Sequence, residues 1–350
     1  MLATQTSAVA GLASVERSSE PRLAWKQIVG GAEPFLQAVA RRLADQIREF
    51  DAEITPYAEY ALTNQGKQLR PALVALSARA TGQISDSHVL AAVIIEMVHL
   101  ATLVHDDVMD EAVMRRGRPT LAATWGNEIS VLLGDCLFAH ALKLAASFPT
   151  PEICRAVAAA TNTVCSGEIL QTQHSRSIDM SQADYFKVLR MKTGELFALS
   201  CDLGAYLSGA GNAVRSALRR YGLAIGTAYQ VYDDCLDLFG SEAAAGKSLG
   251  TDLAKGKLTL PMLLLLERVG PGERARIQSL LQDWKPDAFP QLLTLLHDQQ
   301  TLQGSRQALQ QYLQHARRAL MILPESESRT ALSGLADYLH HQTDALVDCN

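Results

Sequence analysis

The sequence contains no Cys-x-x-Cys pair, no Lys/Arg block longer than a pair such as Arg115-Arg116, no linker rich in Gly, Ser or Pro, and no fixed-period repeat. Each absence excludes something. The six cysteines fall mostly inside apolar helical patterns, where thiols behave as small hydrophobes, so a reducing, cytoplasmic compartment is expected. A formal net charge of −5 without a basic cluster argues against a nucleic-acid partner. Met1 to about Pro21 lacks the positively charged start and apolar run of a secretory signal, and residues 1–22 read as a disordered tail. Without a linker or repeat, residues 23–350 read as a single helical domain. The most apolar stretch, Val89 to Val104, is interrupted by Glu96 and His99 and reads as a buried core helix, too short for a membrane span. No transmembrane segment is expected.

What is present is helical. Of the 350 residues 48% are hydrophobic and 20% charged, enough to bury a substantial core. Apolar residues recur at spacings of three and four, and runs rich in Ala and Leu dominate over the β-branched alternation of strands. The pattern predicts an all-α fold. Helices are expected from Pro34 through Ile47, after Pro71 to near Gly82, from about Ser87 to Asp107, Asn127 to Ser147 and Glu152 to Gln173. Further ones cover Ala183 to Leu207, Ala213 to Phe239 and Leu258 to Arg268, with shorter helices after Gly272 punctuated by Pro286, Pro290 and Pro324. Gly240 to Lys255 reads as an exposed, mobile loop.

Two carboxylate clusters interrupt this apolar sequence: Asp106-Asp107-Val108-Met109-Asp110 and Asp233-Asp234-Cys235-Leu236-Asp237. On a helix, Asp106 with Asp110, and Asp233 with Asp237, lie one turn apart on one face, an unfavourable pairing that a bound cation offsets. A solvated acidic face does not explain carboxylates flanked by Leu103-Val104 and Leu238-Phe239. Oxygen-only ligands suit a hard ion, and the lack of a matched histidine set favours Mg²⁺ over Zn²⁺. Because Mg²⁺ completes its shell with water and phosphate oxygens, two such clusters imply a diphosphate held between them.

The ordered set Gly66-Lys67-Gln68-Leu69-Arg70-Pro71, Leu103 to Asp110, Arg115-Arg116-Gly117, Gly134-Asp135, Lys192-Thr193-Gly194-Glu195, Tyr229 to Asp234 and Gly256-Lys257-Leu258-Thr259 resembles the trans-isoprenyl diphosphate synthases, or polyprenyl synthetases. The likeness runs from about Tyr57 to Leu264. It implies an antiparallel helix bundle around a deep central cavity, the aspartate motifs facing each other across its mouth, and a homodimer. It further implies that Asp106, Asp107, Asp110, Asp233, Asp234 and Asp237 hold Mg²⁺, three ions per site once an allylic diphosphate is bound. Arg115, Lys192, Lys247 and Lys257 resemble direct ligands of that diphosphate, and Lys67, Arg70, His99 and Arg116 the metal-free site for isopentenyl diphosphate. Several fixed cations, with bidentate Arg geometry, are what an unshielded diphosphate needs. Thr193 and Gln230 would sit near the reacting carbons. Alone, His99 reads as a core histidine, Asp135 as a buried structural acceptor, Met97, Met109 and Met191 as core fillers, and Lys255 as a loop charge.

The implied reaction is ionisation, condensation and elimination, with catalysis by groups aimed at charge that appears in the transition state. Lys192, Thr193, Gln230, Asp106 and Asp233 are its expected catalytic residues. No side chain is an obvious general base, so the final proton is expected to leave with the diphosphate. In the resembled family, residues before the first aspartate motif floor the chain pocket; here Ala101, Thr102, Val98 and Ile94 place nothing large there. A medium- to long-chain all-trans product for quinone side chains is expected over a farnesyl- or geranylgeranyl-length one, with a transient membrane contact for its release. Two departures stand out: Gln65-Gly66 where the family often has two glycines, and an end, Asp348-Cys349-Asn350, without the basic tail that closes some members' sites. A class I terpene cyclase is disfavoured by Asp233-Asp234 and by Lys67 with Arg70; a non-catalytic subunit of a heteromeric synthase is disfavoured by two intact motifs. Ala101→Phe is expected to shorten the lipid product when it is chromatographed against wild type; an unchanged chain length would remove the argument about the pocket floor.

Overall fold

The computed structural model describes residue 25 and residues 27–63, 66–175, 177–241 and 249–346. The expected N-terminal tail, Gln65, Lys247 and the C-terminal Asp348-Cys349-Asn350 lie outside them. In chain order the helices are α1 (Glu33–Ile47), α2 (Thr55–Thr63), α3 (Leu69–Thr81), α4 (Asp86–Met109), α5 (Leu121–Trp125), α6 (Asn127–Ala146), α7 (Glu152–Gln173) and α8 (Gln182–Leu189). They continue with α9 (Glu195–Leu207), α10 (Asn212–Phe239), α11 (Thr251–Ala254), α12 (Leu260–Arg268), α13 (Pro271–Gln282), α14 (Phe289–Asp298), α15 (Thr301–Ala319) and α16 (Glu327–Asp344). The all-α expectation holds, with one hairpin, β1 (Met114–Arg115) and β2 (Arg118–Pro119), among the described residues. Arg116 and Gly117 connect its strands with φ of 52° and 77°, the left-handed pair that a two-residue hairpin turn demands.

Helices α3 and α9 are buried over most of their length and on most of their faces, so they occupy the middle of the bundle. On α9, Phe197, Cys201 and Ala205 join one core cluster with α10, α12, α15 and α16, whereas Leu196, Leu199 and Leu203 join the other with α1, α3, α4, α6 and α7. Two glycines let backbones meet there. A Cβ at Gly204 would lie 2.5 Å from the Val74 carbonyl oxygen, and one at Gly222 would lie 2.4 Å from that of Phe197. Both neighbours are main chain and cannot swing away, so close packing of α3, α9 and α10 depends on the missing side chains.

Three expectations need correction. The predicted helix Ala183 to Leu207 is two helices joined by a π-helical turn, Arg190–Gly194, a widening that is frequent at functional sites. Helices after Gly272 are not all short, since α15 has 19 residues and α16 has 18. Finally, α4 at 24 residues is long and apolar enough to cross a membrane by length and composition, so length does not keep it in the core; burial does, with 67% of its most apolar window inside the protein. Met97 is a fully buried core filler as expected, whereas Met109 is 56% exposed at the helix end.

The start of α4 is tied to the central helices by His88. The Ser85 backbone N–H donates to His88 Nδ1 at 3.0 Å, leaving Nε2–H to face the Gly204 carbonyl at 3.2 Å and the Ser208 hydroxyl at 3.1 Å. Burial pulls the imidazole below its ordinary range, and the neighbouring backbone groups offset this only in part. The sign follows: as pH falls below about 6.5, the unfolded chain takes a proton that the folded chain refuses, and stability drops by up to about 1.4 kcal/mol per pH unit. His88→Gln is expected to lower the melting temperature at pH 7 but to flatten its decline between pH 7 and pH 5; an equal decline in both proteins would refute the neutral imidazole.

Candidate functional site

The first aspartate motif ends α4. Asp106 and Asp107 occupy its last turn, and Asp110 caps it, its N–H donating to the Asp106 carbonyl at 2.8 Å. Carboxylates at a helix C-terminus face the negative end of the dipole as well as one another, so each requires a cation. Each has a different one. Asp107 accepts from Arg115 Nε at 2.7 Å, Asp110 holds Lys257 Nζ at 2.8 Å and Lys255 Nζ at 3.1 Å, and Asp106 Oδ2 lies 3.6 Å from Lys192 Nζ. Burial raises the Asp107 carboxyl despite Arg115, whereas at Asp110 burial is outweighed by Lys257 and Lys255, which hold it below the usual carboxylate range. Lys255 is therefore more than a solvated loop charge.

The second motif lies in the last two turns of α10. Asp234 is buried and accepts from the Tyr185 hydroxyl at 2.6 Å and from Gln230 Nε2 at 2.9 Å. Burial, then the nearby Asp252 charge, pushes its carboxyl up to about 8. Gln230 Oε1 in turn accepts from the Thr193 hydroxyl at 2.8 Å, so Thr193, Gln230, Asp234 and Tyr185 form one chain of hydrogen bonds. Asp233 is half-buried beside them. Asp237 differs: it is 0% exposed and accepts from the Thr251 hydroxyl at 2.7 Å and the Asp252 N–H at 3.1 Å. Its carboxylate fastens the 250–252 turn to α10.

Lys192 and Thr193 project from the π-helical turn, and a Cβ on Gly167 of α7 would lie 2.9 Å from the Lys192 nitrogen. Lys192, Lys257, Gln230, Asp234, Asp252 and Gln171 line one cavity of about 80 Å³. The cations that hold Asp106 and Asp110 thus border the same space as Asp234, which brings the two motifs together. Among the described residues no three His, Cys, Asp or Glu side chains form a cluster able to hold an ion alone. Asp106, Asp110 and Asp233 are half-buried carboxylate oxygen donors that could serve a hard divalent ion together with water and phosphate oxygens.

A second group of cations gathers two to three turns earlier along α4, around Glu96 and His99. Arg70 on α3 lies with its guanidinium 5.0 Å from the Phe197 ring centroid, and its buried Nε has no hydrogen-bond partner. Arg116, held in the hairpin turn, packs its guanidinium against Gly66, where a Cβ would lie 2.5 Å from a terminal nitrogen. A side chain at Gly66 would oblige the end of Arg116 to shift. Burial and the charges of Arg70, Arg116 and Arg115 hold His99 well below its ordinary range, so it is a neutral ring among cations. Glu96, one turn earlier, is buried, and burial raises its carboxyl while Arg70 and Arg116 pull it back. Lys67, exposed at the start of this segment, lines with Tyr229 and Phe197 a small cavity of about 20 Å³. Below the first motif, Val98 and Ala101 are buried, and the Thr102 hydroxyl donates to the His99 carbonyl at 2.7 Å.

Some positions were misjudged or missed from sequence. Asp135 is not buried: its side chain is 64% exposed and 3.6 Å from His105 Nε2. Gly134 makes room for that imidazole, since a Cβ there would collide with the ring. Glu168 and Gln171, which hold Lys192, and Tyr185, which holds Asp234, carry no motif of their own. The one signal for Glu168 is an acid following a glycine on a helix of mostly small and apolar residues.

The model of the polyprenyl synthetase family matches residues 51–296. The chain is 35% identical over 306 residues to octaprenyl diphosphate synthase of Haemophilus influenzae, covering 87% of this chain and 93% of that one. It is 37% identical over 303 residues to nonaprenyl diphosphate synthase of Mycobacterium tuberculosis, covering 86% and 90%. The crystal structure of a decaprenyl diphosphate synthase from Rhodobacter capsulatus superposes with a TM-score of 0.85 at 32% identity, covering 91% of this chain and 99% of that one.

Tyr185→Phe removes one of the two side-chain donors to the buried Asp234 carboxyl. It is expected to cost about 1–3 kcal/mol of stability in urea denaturation; a variant as stable as wild type would show that the hydroxyl contributes nothing to the motif.

Proposed function

The chain belongs to the polyprenyl synthetase family, and we infer from that membership and from its paired carboxylate and cation clusters that it elongates an allylic diphosphate with isopentenyl diphosphate. It is a prenyltransferase making a medium- or long-chain all-trans polyprenyl diphosphate; relatives named octaprenyl and nonaprenyl diphosphate synthases favour this over a short-chain product. The observation that carries the reading is the separation of two basic groups: Lys192, Lys257 and Arg115 on the first aspartate motif, and Arg70, Arg116 and Lys67, with the neutral ring of His99, beyond it. One substrate is held with metal and the other without it.

In this proposal Mg²⁺, three ions per site, supplies charge neutralisation of the leaving diphosphate. Asp106, Asp107 and Asp110 from α4, with Asp233 and Asp234 from α10, hold it, and Asp237 serves mainly to fasten the turn that delivers Lys255 and Lys257. Arg115, Lys192 and Lys257 exchange their carboxylates for diphosphate oxygens as the allylic substrate arrives. Lys247 is kept as a further ligand from sequence alone. Thr193 and Gln230, ordered by Asp234, present hydroxyl and amide dipoles toward the cation that forms on ionisation. Arg70 and Arg116 grip the isopentenyl diphosphate, the orphan Arg70 Nε supplying an unspent donor. Val98 and Ala101 with Thr102 leave the chain pocket floor without a large side chain.

A homodimer is part of the same reading. Helix α6 is long and strongly apolar, yet only 39% of its most apolar window is buried, and Val131, Leu132 and Leu142 face outward. A second copy would cover them. Met109, Val113 and Met114, exposed beside the mouth, support a transient membrane contact for releasing an insoluble product. Purified protein given farnesyl diphosphate, labelled isopentenyl diphosphate and Mg²⁺ is expected to yield extended linear chains. Cyclic hydrocarbon, or no turnover without an added partner, would overturn the reading.

A further inference from the structure

Lys192 sits between two acids, and the distances are unequal. Glu168 on α7 places Oε1 2.7 Å and Oε2 2.8 Å from its Nζ, and Gln171, one turn on, adds Oε1 at 2.9 Å; Asp106 stands back at 3.6 Å. An ammonium has three N–H donors, and the short contacts go to α7. The placement of Glu168 is set by backbone, because Gly167 lets α7 abut the π-helical turn at Lys192. All three charged side chains are mostly buried, with side-chain exposures of 20% for Lys192 and 15% for both Glu168 and Asp106, so their attraction is poorly screened.

Two carboxylates against one ammonium leave this corner one net negative charge. Without the Glu168 carboxylate the corner would be neutral, and Asp106 would be the nearest full anion for Lys192. A 3.6 Å approach would then close to a direct ion pair that a divalent cation would have to break. We propose that Glu168, assisted by Gln171, is a positioning residue that holds the Lys192 ammonium off Asp106, so that Asp106 keeps its carboxylate for a divalent cation while Lys192 stays within reach of the allylic diphosphate. The role rests on the elongation reading above and deepens it at one corner of the site.

The test is Mn²⁺ binding without diphosphate, read by electron paramagnetic resonance of the free ion, on wild type, Glu168→Gln, Lys192→Met and the double variant. Glu168→Gln is expected to weaken Mn²⁺ binding about tenfold, the scale of losing an outer-shell partner. The double variant regains wild-type affinity, because the competing ammonium is gone, a rescue that a merely structural Glu168 would not give. Lys192→Met alone binds Mn²⁺ at least as well as wild type, a reading that stands even if Glu168→Gln fails to fold. Equal affinity in folded Glu168→Gln and wild type, no rescue in the double variant, or weaker binding by Lys192→Met overturns the proposal. Elongation by the same wild-type preparation keeps the two readings apart: an active enzyme with the wrong Mn²⁺ pattern removes only the role of Glu168.

Discussion

Crowding acidic side chains at the C-terminal ends of apolar helices is the constraint on which the rest of this protein depends. Asp106, Asp107 and Asp110 at the end of α4, and Asp233, Asp234 and Asp237 at the end of α10, add their charge to the negative poles of both helices. On α10, Asp234 and Asp237 are met by hydrogen bonds from Gln230 of the same helix, Tyr185 and Thr251, whereas α4 relies on compensation from outside itself. It comes from the π-helical turn, the hairpin and the 255–257 segment as Lys192, Arg115, Lys255 and Lys257. These cations are the counter-charges that make the first aspartate motif tolerable.

Delivering those cations shapes the scaffold. Gly204 and Gly222 let α3, α9 and α10 pack backbone to backbone at the centre, and Gly167 does the same for α7 against the Lys192 turn. The π-helical turn breaks what would be a continuous helix at Lys192 and Thr193. Hydrogen bonds then carry order outward: Tyr185 and Gln230 hold Asp234, Gln230 holds Thr193, and Asp237 pins the turn before Lys257. The group around Glu96 and His99 uses a different device, the Arg70 guanidinium against Phe197 and the Arg116 guanidinium against Gly66, both of which moderate the buried Glu96 carboxyl.

Much of the helical layout could be read from periodicity, because amphipathic and wholly apolar helices betray themselves locally. Expected boundaries for α1, α4, α6, α7 and α10 lie within one or two residues of the observed ones. The misses have a common physical origin. Asp135 follows a glycine in an apolar helix and reads as buried, but Gly134 is small because His105 lies against it, and Asp135 points outward. The Ala183 to Leu207 pattern gives no hint of a π-helical turn, since the extra residue is absorbed by contacts with α7 and α10.

Residue type and spacing alone determined that the chain is helical and that two carboxylate clusters call for a hard cation and a diphosphate; a second set of cations was legible only through the resemblance to a known family. Those properties are local or chemical, and a linear sequence carries them. Tertiary structure alone decided which cation answers which aspartate, that Asp237 serves the 250–252 turn, and that Glu168 and Tyr185 belong to the site. Glu168 and Lys192 are far apart in sequence, and only the packing of α7 against the π-helical turn makes their charges meet.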